Sequence, residues 1–227
     1  MDIAIFSPSS LFSEDDTSSR EENSDARENY VERKHQFPGT ELIIREFSFH
    51  QLNANLLWPG TFAFAEWLVQ HSSCIEGRRA IELGSGTGAL AIFLRKSYDL
   101  DITTSDYDDQ EIEDNIAHNC RENEIPAIPH IKHVKQYANL IKTISFLLNF
   151  YKPRDKKAIF PTGNDENDGN VVLPWPAFLM SWRRRIGKED ELLFFNGCEE
   201  AGLKVKHIGS RVYCIYPKEN EKSETKS

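Results

Sequence analysis

The run Ala80-Ile81-Glu82-Leu83-Gly84-Ser85-Gly86-Thr87-Gly88 constrains this chain more than any other stretch. A short apolar segment leads into three glycines, each two positions after the last. Ala89 to Lys96 follows with the apolar spacing of a helix. Glycine adopts positive φ without a Cβ penalty and lets another group approach the backbone closely. A strand entering a helix through such a turn aims several backbone N–H groups at one place, at the positive end of the helix dipole.

The flanking sequence extends this unit. Arg79 to Leu83 reads as the strand. Asp101-Ile102-Thr103-Thr104-Ser105 is rich in β-branched residues and reads as a second strand, closed by Asp106. Gln110 to Asn123 reads as a helix and Ile128 to Ile131 as a third, short strand. This β-α-β-α-β order predicts an α/β fold, a Rossmann-like doubly wound, mostly parallel sheet with helices on both faces. Upstream, Leu42, Ile43, Ile44, Phe47 and Phe49 suggest an extended segment. Leu57-Trp58-Pro59-Gly60 turns the chain into a helix over Thr61 to His71.

The second half is less regular. Tyr137 to Phe150 has helical spacing at Leu140, Ile141, Ile144, Leu147 and Leu148. Lys152 to Asn170 is polar and turn-rich and reads as a mobile loop. Ala177 to Trp182 is a buried-strand candidate that runs into Arg183-Arg184-Arg185. Glu189 to Ala201 reads as a helix ending at Gly202. Lys204 to Ile208 and Arg211 to Tyr216 read as a closing pair of strands.

Composition bounds the rest. Residues 1–38 are acidic and serine-rich and are expected to be disordered; a solvating arm is the plainer reading than a partner-binding tail. One domain is expected over residues 39–217, with the mobile loop at 152–170 inside it and a disordered tail at 218–227. The net charge of -9 disfavours nucleic acid as the partner. No run reaches the roughly 20 apolar residues of a membrane span. Met1 to Phe6 lacks the basic start of a secretory signal. The four cysteines, Cys74, Cys120, Cys198 and Cys214, are scattered, which predicts reduced thiols in a cytoplasmic or nuclear protein and no metal site.

Three readings of the glycine loop compete: an S-adenosyl-L-methionine site, a nicotinamide dinucleotide site, and a tight turn with no ligand. Gly84, Gly86 and Ala89 fit the dinucleotide fingerprint. Glu82, two positions before the first glycine, and a third glycine at Gly88 resemble the loop of methyltransferases, which commonly carry an acid there, and so favour S-adenosyl-L-methionine. Asp106 lies near the offset of about 20 residues at which an acid accepts from ribose hydroxyls. Asp108 and Asp109 are rivals for that role.

With these motifs in place, the chain resembles the seven-stranded S-adenosylmethionine-dependent methyltransferases, and more narrowly the family sixteen group of protein-lysine methyltransferase-like proteins. The resemblance runs from about Thr40 to Pro217. It rests on Leu57-Trp58-Pro59-Gly60, the Glu82 to Gly88 loop, Thr104-Ser105-Asp106-Tyr107 and Asn115-Ile116-Ala117-His118-Asn119. Leu193-Phe194-Phe195 followed by Gly202-Leu203-Lys204-Val205 adds to it. It implies cofactor-binding roles for Trp58, Glu82, Gly84, Gly86, Gly88 and Asp106, and mainly structural roles for Asn115 and Asn119. It also implies a protein substrate.

One family feature is missing. After the third strand the family carries a tryptophan turn near the adenine and a fourth strand ending in an Asp-x-x-Tyr-like motif. Here Ile131-Lys132-His133 runs straight into Val134-Lys135-Gln136-Tyr137. A parallel crossover needs about a dozen residues or more. The central fourth strand is therefore expected to be absent. Either the strand from Ala177 pairs beside the first strand, or the sheet is incomplete. No catalytic residue can be assigned. His130 and His133 flank the break and read as surface histidines before bases. Arg183 to Arg185 read as a solvated cluster before an anion site. Two functions follow: a methyltransferase acting on protein lysine side chains, and a non-catalytic binding module that keeps the fold.

Overall fold

The computed structural model describes residues 30–50, 54, 56–133, 140–151, 173–182 and 188–218. Defined structure begins earlier than residue 39. Strand β1 (Tyr30–Phe37) pairs antiparallel with β2 (Thr40–Phe47) across a turn at Pro38 and Gly39, where Gly39 has φ +76°. The sequence hides β1 because most of its residues face water and only Phe37 is buried. The Pro-Gly pair is the one local signal for a hairpin. β2 buries Leu42, Ile44 and Phe47.

Helix α1 (Pro59–Gln70) starts with proline in its first turn, where a missing N–H costs nothing, and Trp58 is its N-cap residue. Then come β3 (Arg79–Leu83), α2 (Ala89–Tyr98), β4 (Asp101–Tyr107), α3 (Gln110–Glu122) and β5 (His130–His133). The three strands form one parallel sheet in the order β3-β4-β5. This α/β unit agrees with the fold read from sequence, nearly residue for residue.

Beyond it lie α4 (Leu140–Phe150), β6 (Phe178–Ser181), α5 (Lys188–Glu200), β7 (Leu203–Gly209) and β8 (Val212–Pro217). These strands form a separate antiparallel sheet, β6-β8-β7. β6 thus pairs with β8 and not with β3. Among the described residues the first sheet has three strands and no strand beside β3, and parallel pairing is confined to β3, β4 and β5. Only six residues, 134–139, join β5 to α4, too few for a strand with its crossover.

Two cores match the two sheets. The larger joins Phe37, Leu42 and Ile44 of the hairpin to Ile92 and Phe93 of α2, Ile112 and Ile116 of α3, and Val212 of β8. Burying each such side chain contributes roughly 1.5–3 kcal/mol. The smaller packs Ile144 and Leu148 of α4 on Cys198, Leu203 and Ile215. Alternation along β3 and β4 puts Ala80 and Ile102 on the covered face of the first sheet. The opposite face shows Ile81 at 39% and Ile131 at 49% exposure.

Candidate functional site

The glycine loop is tied to the end of β4. The N–H groups of Gly84 and Ser85 both donate to the Ser105 carbonyl, at 2.9 and 3.0 Å. Ser105 N–H donates back to Ser85 Oγ at 3.1 Å, and Ser105 Oγ donates to the Glu82 carbonyl at 2.9 Å. Gly88 N–H closes the turn on Ser85 O at 2.7 Å. All three glycines have positive φ: +72° at Gly84, +51° at Gly86 and +75° at Gly88. Gly88 is also the N-cap of α2, and a Cβ there would sit 3.0 Å from Ile116. At Gly86 a Cβ would lie 3.8 Å from the Ala54 carbonyl, so the backbone after β2 passes beside the loop.

The structure places the three acids differently. Asp106 Oδ2 accepts from Gly86 N–H at 2.6 Å and Oδ1 accepts from Tyr107 N–H at 2.7 Å. Asp109 instead caps α3, accepting from Glu111 N–H at 2.9 Å, and lies 3.4 Å from His50. Asp108 is exposed, 4.0 Å from Lys132. Asp106 alone of the three meets the loop. Each of its oxygens keeps a second lone pair for a hydroxyl donor.

Glu82 sits beneath the loop. Its Oε2 is buried and has no hydrogen-bond partner. Burial pushes its carboxyl up to about 8; the Asp106 charge adds a small further rise, opposed by hydrogen bonds from Ser85 and Ala91. An acceptor buried without a donor costs a few kcal/mol and calls for an explanation. A cationic or N–H donor brought to the loop would supply one.

The asparagines act as the sequence reading expected, and one more joins them. Arg45 N–H donates to Asn119 Oδ1 at 2.8 Å, and Asn115 Nδ2 donates to Arg45 O at 3.0 Å. Asn123 Oδ1 accepts from Ile43 N–H, and its Nδ2 donates to Ile43 O at 2.7 Å. The i, i+4, i+8 spacing of 115, 119 and 123 puts all three on one face of α3, where they replace a neighbouring strand for β2. That spacing is visible in the sequence, where Asn123 reads only as a helix end. Asn119 Nδ2 also donates to Thr87 O at 3.0 Å, linking the hairpin to the loop.

Trp58 is at the N-cap of α1 with 42% exposure. His130 Nδ1 lies 3.0 Å from Thr104 Oγ1 on the covered side of the sheet, so it is not the surface histidine expected. The side chain of His133, the loop at 152–170 and Arg183 to Arg185 lie outside the described residues. His50, Asp109 and Glu111 bring possible ligand atoms within 4.8 Å of one another; the Asp109 cap and the His50 pair account for that grouping. No helix among the described residues is long and apolar enough to cross a membrane.

Residues 36–135 match the sequence profile of a lysine methyltransferase family. The match starts in β1 and stops two residues after β5. The protein N-terminal and lysine N-methyltransferase efm7 of Schizosaccharomyces pombe is 24% identical over 133 residues, covering 59% of this chain and 47% of that protein. The chain thus spans about half the length of the curated relative it matches. A crystal structure of a methyltransferase from Pyrococcus furiosus aligns with a TM-score of 0.41 at 14% identity, over 68% of this chain and 81% of that one.

The parallel sheet ending in this glycine loop and acid forms a Rossmann-like α/β unit. Over residues 36–135 the chain is similar to the lysine methyltransferase family. Methyltransferases of this kind use S-adenosyl-L-methionine.

Proposed function

We propose that the chain binds S-adenosyl-L-methionine weakly at the glycine loop and acts as a slow methyltransferase on protein lysine side chains. The observation that carries this reading is the buried, partnerless Glu82 Oε2 beneath three positive-φ glycines. The cofactor has an ammonium group to pair with that acid, and ribose hydroxyls to donate to the free lone pairs of Asp106. When bound it supplies an electrophilic methyl on a sulfonium. Trp58, at the start of α1, would border the site. The chain's own contribution is positioning and desolvation.

Weak affinity follows from the sheet. Cofactor contacts expected from a strand beside β3 are missing among the described residues. Titration calorimetry should give a Kd weaker than about 100 μM, less than roughly 5.5 kcal/mol of binding. Low-micromolar affinity would refute the incomplete-site argument.

The second reading, a non-catalytic binding module, draws on the lack, among the described residues, of a strand beside β3 and of an assignable acid or tyrosine at the substrate side. A radiolabelled methyl-transfer assay on cell extract separates the two. Labelled protein lysine, weak but above a Gly86→Asp control, supports the enzyme. No label at millimolar cofactor, with a version restoring the fourth-strand segment active, supports the module.

A further inference from the structure

Glu46, near the end of β2, is a buried acid that the cofactor chemistry does not use. It is 2% exposed, and a carboxylate taken that far out of water needs partners. Arg33, His35 and Leu57 converge on it. Arg33 Nη1 donates to Oε2 at 2.6 Å, and His35 Nε2 lies 3.1 Å from Oε1. Leu57 N–H also donates to Oε1, at 3.1 Å. Arg33 and His35 come from β1, so the polar residues that hide this strand in the sequence serve the acid.

The Leu57 contact is of another kind. Arg33 and His35 belong to a strand already laddered to β2, whereas Leu57 lies on the backbone that leads from β2 into α1. That backbone passes the glycine loop at Ala54, whose carbonyl would lie 3.8 Å from a Cβ on Gly86. Gly86 also donates its N–H to Asp106, so the crossing backbone and the acid meet at one residue. Three positions after Ala54, Leu57 is held by Glu46, and its side chain packs on the larger core. Trp58 comes next, and its carbonyl accepts from Thr61 N–H at 2.9 Å as α1 begins. A hydrogen bond from a backbone N–H to a carboxylate is roughly twice as strong as one to a neutral oxygen.

We propose that Glu46 is a positioning residue for the cofactor site. Through Leu57 N–H it sets where the backbone crosses the glycine loop and where Trp58 stands. The proposal rests on the reading of the loop as an S-adenosyl-L-methionine site with Trp58 at its border. Glu46 touches no reacting atom. It keeps one wall of the site in place, so less binding energy goes into ordering that wall.

Two substitutions separate this role from a general one in the hairpin. Glu46→Ala removes the acceptor and the ion pairs. Glu46→Gln keeps an oxygen for Leu57 N–H and loses the charge. Unchanged protection of α2 and α3 amides shows that each chain folds. If Glu46→Ala loses that protection, Glu46→Asp, one methylene short of Leu57, takes its place with the same expectations. In chains labelled with fluorotryptophan, Trp58→Phe assigns the Trp58 resonance among the four tryptophans. That resonance should shift in Glu46→Ala and hold in Glu46→Gln. Leu57 amide exchange should be at least about tenfold faster in Glu46→Ala and near parental in Glu46→Gln. Calorimetry with S-adenosyl-L-methionine should give affinity about tenfold weaker in Glu46→Ala and within about threefold of the parent in Glu46→Gln. Equal losses in both variants would overturn the proposal, because charge pairing would then be what matters. A parental Trp58 resonance in Glu46→Ala would also overturn it, as would unchanged affinity beside a displaced Trp58. A parent chain with no affinity for the cofactor would overturn the functional reading instead, and the Trp58 resonance would still decide whether Glu46 places that residue.

Discussion

Replacing Glu82 with Gln isolates a buried acid whose charged form the fold disfavours. In the folded chain its carboxyl is raised from 4.5 to about 8, burial being the main cause. The unfolded chain releases this proton near pH 4.5, while the folded chain holds it up to about pH 8. Between those values the unfolded state binds fewer protons, so stability falls as pH rises. The penalty is absent below pH 4.5 and complete above about pH 8. At pH 7 it amounts to about 3 kcal/mol, at 1.36 kcal/mol per pH unit. Glu82→Gln removes the titration and keeps the shape. Urea unfolding followed by circular dichroism should therefore find the variant about 3 kcal/mol more stable at pH 7, with the gap below about 1 kcal/mol at pH 5. Parallel stability profiles for the two proteins from pH 5 to 8 would refute the reasoning.

Other expectations follow from single contacts. Gly88→Ala meets both a φ of +75° and the Ile116 γ-carbons at 3.0 and 3.1 Å; it should lose about 2–3 kcal/mol in thermal unfolding, and Ile116→Ala, which removes both γ-carbons, should cost less in that background than in the parent chain. Asn119→Ala strands Arg45 N–H and Thr87 O and should cost about 2–3 kcal/mol by urea titration. Cofactor binding at pH 7 should release a proton as Glu82 ionises against the ammonium. Calorimetry in two buffers of different ionisation enthalpy reads this directly, and equal heats would remove Glu82 from the site. The Cys214 thiol is buried and pushed up to about 12, whereas Cys74 is half-buried. A thiol reagent at pH 8 should label Cys74 in the native chain and Cys214 only on unfolding.

The first half was legible because its periodicities are strong and local. β3, α2, β4 and α3 fall where the β-branched runs and glycine loop put them, and the offset of Asp106 from the glycines is enough to bring it to the loop. What stayed hidden depends on neighbours distant in sequence. Glu32, Arg33 and Lys34 in β1 look like a charged tail until Thr40–Phe47 pairs with them. Asn123 looks like a helix end until Ile43, 80 positions away, occupies its amide. The engagement of both Asp106 oxygens by backbone N–H groups has no sequence signature. The split of the sheet was half legible. The short connection after β5 announced a missing strand, but whether β6 would close the gap is a question of packing. α4 and α5 settle it by holding β6 through β8 on their own core.

β3 is where these lines meet. It carries Glu82 at its fourth residue and the loop at its end, and the backbone bonds that tie the loop to the sheet run to Ser105 on the β4 side. A loop anchored from one side is less preorganised, and ordering it draws on binding energy. Ser105→Ala removes the hydroxyl that donates to the Glu82 carbonyl at 2.9 Å and should therefore weaken cofactor affinity through a looser loop; equal affinity in the variant and the parent chain, read by calorimetry, would show that this tie does not hold the loop ready.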